Sequence, residues 1–72
     1  MKITEDDLKN WFTYHAPQGV DPAKYGAIRE AAHAFASVIL SNTPPCADQT
    51  AAIRKVREAT FTANAAIACG GK

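Results

Sequence analysis

Two consecutive prolines, Pro44-Pro45, separate two alanine-rich segments of nearly equal length. A proline lacks the amide hydrogen and its ring clashes with the preceding turn, so no helix runs through this point. The upstream segment opens at Asp21-Pro22, where an N-cap aspartate followed by proline at the first helical position is a start signal. It carries Ile28, Ala31, Ala32, Phe35, Val38 and Ile39 at three- and four-residue spacing, the stripe of a helix that buries one face. It reaches about Ser41, before Asn42-Thr43-Pro44-Pro45. The downstream segment runs from near Asp48 to about Cys69, with the stripe Ala52, Ile53, Val56, Ala59 or Thr60, Ala63 and Ile67, and Gly70-Gly71 supplies its stop. Two long helices joined by a short loop lie antiparallel. The spacing therefore predicts an αα-hairpin.

A shorter helix is expected ahead of it. Thr4 is its N-cap, and Glu5, Asp6 and Asp7 put negative charge on the first turn, where the helix dipole favours it. Ile3, Leu8, Trp11 and Phe12 give it an apolar side, and His15-Ala16-Pro17-Gln18-Gly19 ends it. Strand patterning is absent. The expected fold is all-α: a short N-terminal helix packed on a long antiparallel αα-hairpin, oligomeric, with helices at about 4–14, 22–41 and 48–69 in one domain spanning 1–72.

The expectation of an oligomer comes from composition. Hydrophobic residues make up 47% of the 72, but 15 of them are alanine and only 17 are larger apolar side chains. Small domains usually need disulfides, a metal or a partner subunit for firm stability. Cys46 and Cys69 are 23 positions apart. On one helix they would be ~34 Å from each other, far beyond the roughly 7 Å that a disulfide tolerates between Cα atoms. Two cysteines are too few for structural zinc, and the two histidines are not spaced to complete a site; no metal and no cofactor are expected. Alanine lets helix backbones approach closely, and apolar residues appear on more than one side of the second helix. A further copy of the chain is the natural cover.

Charge and hydropathy narrow the partners. No apolar run approaches the ~20 residues that cross a bilayer. The first ten residues lack the basic-then-apolar order of a signal peptide, so a cytoplasmic location is expected. A net charge of +1 gives no global field for a nucleic-acid polymer or an anionic membrane, and neither is expected as a partner. Nor is an enzyme: there is no glycine-rich phosphate loop, no HExxH and no carboxylate pair bracketing a groove.

Four ring side chains, Trp11, Phe12, Tyr14 and His15, gather at the end of the first helix. Trp11 and Phe12 suit a staple onto the hairpin. Tyr14 and His15 suit stacking on a base with polar tips on phosphate or sugar, while His15 equally suits capping of helix carbonyls. Lys24, Tyr25 and Arg29 follow; Tyr25 and Arg29 are one turn apart, and a guanidinium fork matches phosphate. They equally suit an intrahelical stack or a surface ion pair. On the third helix Arg57, Thr60 and Asn64 share a face at spacings of three and four. An amide among small apolar residues needs partners, so Asn64 either sets helix register or reads a ligand.

Three strings carry a resemblance: Trp11-Phe12-Thr13-Tyr14-His15-Ala16-Pro17, then Lys24-Tyr25-x-x-Ile28-Arg29-x-Ala31, then Arg57-Glu58-Ala59-x-x-x-Ala63-Asn64-Ala65-Ala66-Ile67-Ala68. Together they resemble the hairpin domain shared by phage anti-CBASS cyclic-nucleotide sponges and the Thoeris anti-defence sponges, from about Asn10 to Ala68. The resemblance implies a small helical phage protein acting in the host cytoplasm. It implies an oligomer, often a hexamer, that sequesters cyclic di- or trinucleotide second messengers without cleaving them, in pockets built from two chains. Phe12, Tyr14, His15, Pro17, Tyr25, Arg29, Arg57, Ala63 and Asn64 fall on family-like positions. Phe12 and Tyr14 would then line or stack, Arg29, Arg57 and Lys24 would hold phosphates, and Thr60 and Asn64 would hydrogen-bond phosphate or base edges. Two alternatives stand beside this: a structural or protein-binding helical oligomer with no small-molecule ligand, and a sponge for the cyclic ADP-ribose isomers of Thoeris defence.

Overall fold

The computed structural model describes residues 2–72 and contains three helices, α1 (Glu5–Trp11), α2 (Asp21–Asn42) and α3 (Ala47–Ala68), with no strand among the described residues. None of these helices is long and apolar enough to cross a membrane. Helices α2 and α3, 22 residues each, pack against one another as the hairpin. The half-buried side of α2 is Tyr25, Ile28, Ala32, Ala36 and Ile39; that of α3 is Gln49, Ile53, Val56, Thr60, Ala63 and Ile67. Both recur at three- and four-residue steps, as a contact stripe must.

The hairpin turn is held by side chains. Gln49 Nε2 on α3 donates to the carbonyl of Thr43 at 3.0 Å, to Thr43 Oγ1 at 3.1 Å and to the carbonyl of Leu40 at 3.4 Å. Asn42 Nδ2 and Thr43 Oγ1 donate to the carbonyls of Val38 and Ile39, at 2.8 and 2.7 Å. The carbonyls of Ile39 and Leu40, two of the four that the end of α2 leaves without an intrahelical amide, are thereby satisfied. Helix α3 then starts from Cys46, whose thiol accepts from the amide of Gln49 at 3.4 Å. It ends in a Schellman motif: Gly70 N donates to Ile67 O and Gly71 N to Ala66 O, with both glycines at positive φ, 66° and 78°.

Two local expectations are corrected. Helix α1 ends at Trp11, not at Tyr14. Its start follows the Thr4–Asp7 capping box, in which each residue's side chain accepts from the other's amide. Its end comes early because nearby polar groups take its last carbonyls: the Thr13 hydroxyl donates to Lys9 O and a His15 ring nitrogen bonds Asn10 O. Asp21 is likewise the first residue of α2 and not its cap; Val20 holds that position. Asp21 Oδ2 instead accepts from Gln18 N at 3.1 Å, closing the turn ahead of the helix, with Gly19 at φ 55°.

Among the described residues, none is fully buried. The accessible surface is 5774 Å², against about 4,300 Å² for a compact monomer of 7.7 kDa. The radius of gyration is 15.2 Å, with extents of 44 × 30 × 18 Å; a compact chain of this length has about 11 Å. Phe35, Val38, Leu40 and Phe61 are all more than half exposed. Of the expected apolar side of α1, only Trp11 is half-buried, while Ile3, Leu8 and Phe12 are exposed. The hydrogen bonds that link α1 to the hairpin come from Asn10 and Trp11, at its C-terminal end.

Candidate functional site

Three regions hold most of the chemistry-bearing side chains. The first is the open end of the hairpin. The chain from Tyr14 to Asp21 passes beside the end of α3 and leaves a polar cavity of about 350 Å³, lined by Tyr14, His15, Gln18, Asp21, Ile67 and Gly70 among others. His15 is half-buried and its Nε2 lies 2.7 Å from the carbonyl of Asn10. That bond caps α1 and fixes the ring plane. Tyr14 is 84% exposed at the rim, and Phe12 is 85% exposed at the C-cap of α1. Rings so placed have free faces for stacking.

The second region is the long groove between α2 and α3, of about 600 Å³. Ile28, Ala31, Ala32, Phe35 and Ile39 form one wall, and Ala52, Val56, Ala59 and Ala63 the other; Lys55 and Thr60 are its only polar lining residues. The Thr60 hydroxyl donates to Val56 O at 2.9 Å, so its proton is used within the helix and its oxygen remains an acceptor. The groove is an apolar surface with nothing to recognise a charge beyond Lys55.

The third region is the part of α3 outside the groove. Arg57 and Phe61 lie one turn apart, and the Arg57 guanidinium carbon sits 5.9 Å from the centroid of the Phe61 ring, within cation–π range. Asn64, one further turn along from Thr60, is half-buried, and its Oδ1 is enclosed without a hydrogen-bond donor. An enclosed carbonyl without a partner costs free energy.

Within one chain the nine candidate residues do not converge. Tyr14 and His15 share the polar cavity and Thr60 lies in the groove. Phe12, Lys24, Tyr25, Arg29, Arg57 and Asn64 line neither. Tyr25 and Arg29, one turn apart on α2, have different surroundings: Tyr25 is half-buried, while Arg29 is exposed. A Cβ at Gly26 would lie 3.7 Å from Arg29 Nη2, so the guanidinium folds back over the helix at Gly26. Three residues near these groups were not among the candidate site residues read from the sequence. Gln18 and Asp21 line the polar cavity, and their reciprocal turn left no periodic signal. Phe61 was legible only through its spacing of four from Arg57. No group of three metal-ligating side chains comes together among the described residues.

No curated protein and no solved structure matches this chain. The family model described as "Acb2/Tad1, hairpin domain" matches residues 4–68. That stretch takes in all three helices, the hairpin turn and every candidate residue above. By a match of that extent, the chain belongs to the Acb2/Tad1 hairpin-domain family, which is associated with anti-defence sponge activity.

Proposed function

We propose that this chain is a phage immune-evasion sponge that binds cyclic di- and trinucleotide second messengers and holds them uncleaved, so that CBASS-type signalling fails. The family match over 4–68 is the observation that carries the reading. The chemistry of the side chains supports it. Arg29 and Arg57 offer planar donor forks suited to phosphate, and Lys24 offers a point charge. Phe12, Tyr14 and Tyr25 offer rings for bases, His15 and Thr60 polar edges, and Asn64 an amide.

The sponge acts as a homo-oligomer, a hexamer by analogy with the family. The surface in excess of a compact monomer is on the order of 1,400 Å² for one chain, more than the roughly 800 Å² that each partner buries in a standard protein–protein interface. Dispersal of the nine residues along one chain accords with pockets completed by a second copy. Retention needs no catalytic group, so no cleavage is proposed. The ligands are small soluble anions, and the protein works in the host cytoplasm without a nucleic-acid polymer or a membrane as partner.

Isothermal titration against cyclic di-AMP, cyclic di-GMP, cyclic tri-AMP and cyclic ADP-ribose isomers tests this, with chromatography of the released ligand. Binding below about 10 μM and intact recovery are expected; no binding to any member sinks the proposal. Preferred binding of the cyclic ADP-ribose isomers would move the sponge to Thoeris signals. The apolar groove favours a second reading, a helical oligomer that binds only proteins. Under it, Arg57→Ala and Asn64→Ala change the assembly mass, and none of these ligands shifts the melting temperature.

A further inference from the structure

Arg57 has an unusual set of neighbours for a surface arginine. One turn before it on α3 stand Ile53 and Arg54; one turn after it stand Thr60 and Phe61. None is acidic, so no carboxylate at helical spacing occupies its donors. The partner it does have is the Phe61 ring, 5.9 Å from the guanidinium carbon to the centroid. A ring partner differs from a carboxylate in kind. It attracts the cation through its quadrupole and takes none of the five N–H donors, which radiate in the guanidinium plane. Arginine otherwise loses considerable rotamer freedom when it is fixed. A ring that fixes it in advance removes part of that loss from ligand binding.

Phe61 has no evident structural duty that would explain it otherwise. It is 60% exposed and lies off the half-buried stripe that faces α2. Its neighbours Thr60 and Thr62 turn their hydroxyl protons back onto Val56 O and Glu58 O, so neither competes for Arg57. We propose that Phe61 is a positioning residue for Arg57: the ring holds the guanidinium by cation–π contact with its donors free for a ligand phosphate. This rests on the sponge reading above and adds to it a residue whose contribution runs through another.

The test is a double-mutant cycle on the full chain, by calorimetry with cyclic di-AMP, cyclic di-GMP and cyclic tri-AMP, alongside the ligand-free Arg57 Nε–Hε resonance. In the wild type that resonance is expected upfield of random coil from the ring current, and Phe61→Leu returns it. Phe61→Leu weakens the tightest of the three ligands roughly two- to fivefold, the exposed cation–π range expressed as a ratio. Phe61→Tyr keeps both the shift and the affinity. In an Arg57→Gln background, Phe61→Leu has no further effect. An equal loss with and without Arg57 overturns the inference, and so does wild-type affinity in Phe61→Leu. A wild-type chain that binds none of the three overturns both this inference and the reading beneath it. Binding that is indifferent to Phe61 overturns this one alone.

Discussion

The side-chain amide of Asn10 donates to the main-chain carbonyl of Cys69 at 3.2 Å, across 59 positions of sequence. Cys69 is the C-cap of α3, and its carbonyl is among those that a helix end leaves without an internal partner. The contact thus satisfies the end of one helix with the end of another. Trp11 repeats the device one residue on, its indole nitrogen donating to the carbonyl of Lys72 at 2.9 Å. Two adjacent side chains therefore tether α1 to the open end of the hairpin.

Asn10→Ala should release that tether. The loss is about 1 kcal/mol, as for a partly buried neutral hydrogen bond, and it falls on the docking of α1 rather than on the hairpin. Hydrogen exchange should quicken across Glu5–Trp11 while the centres of α2 and α3 keep their protection. Asn10→Asp should behave no better, because a carboxylate then faces a carbonyl. Unchanged exchange in α1 would show that something else holds it.

Gln49 is the corresponding device at the turn, donating to Thr43 and Leu40. Gln49→Ala is expected to cost about 1–2 kcal/mol, read as a lower midpoint in urea. Gln49→Glu isolates the cause. It puts a favourable charge in the first turn of α3 yet removes the donor, so a loss close to that of alanine identifies the donated hydrogen bonds. Full retention in Gln49→Glu would refute that account.

Gly26 lies inside α2, where glycine is worth about 1 kcal/mol less than alanine. An added methyl would meet only Arg29 Nη2, at an ordinary 3.7 Å. Gly26→Ala should therefore raise the melting temperature by several degrees, about 0.5–1 kcal/mol. A fall instead would mean that a second chain presses on this point of the helix.

Phe35 contributes a largely exposed ring to the apolar groove. A charge there opposes burial by any partner. In Phe35→Glu, native mass spectrometry should find monomer where the parent chain gives the oligomer, and helical content should fall on dilution. An assembly mass equal to the parent's would remove the groove from the interface.

Much of the fold was readable because its signals are local. Thr4 with Asp7 three residues on, the Pro44-Pro45 break and the Gly70-Gly71 stop each act within one turn, and each does in the structure what its chemistry requires. The misreadings arise where two local devices compete for one residue. Asp21 can cap a helix or close a turn, and the Gln18 amide takes it for the turn. Capping by His15 was one of two open readings of that residue, and the 2.7 Å contact to Asn10 O is the capping geometry. The site was less legible than the fold. Residues such as Arg57 and Phe61 signal only by spacing, and spacing does not say what lies opposite them.

The absence of any fully buried side chain among the described residues has a calorimetric consequence. Apolar surface newly exposed to water is what gives unfolding its heat-capacity change and its steep denaturant dependence. A lone hairpin that hides little has little to expose. Its melting should be shallow and spread over a wide range of temperature, with a heat-capacity step below the ~12–15 cal/mol/K per residue of ordinary domains. A sharp transition in this protein is then borrowed cooperativity, supplied by whatever closes over the groove.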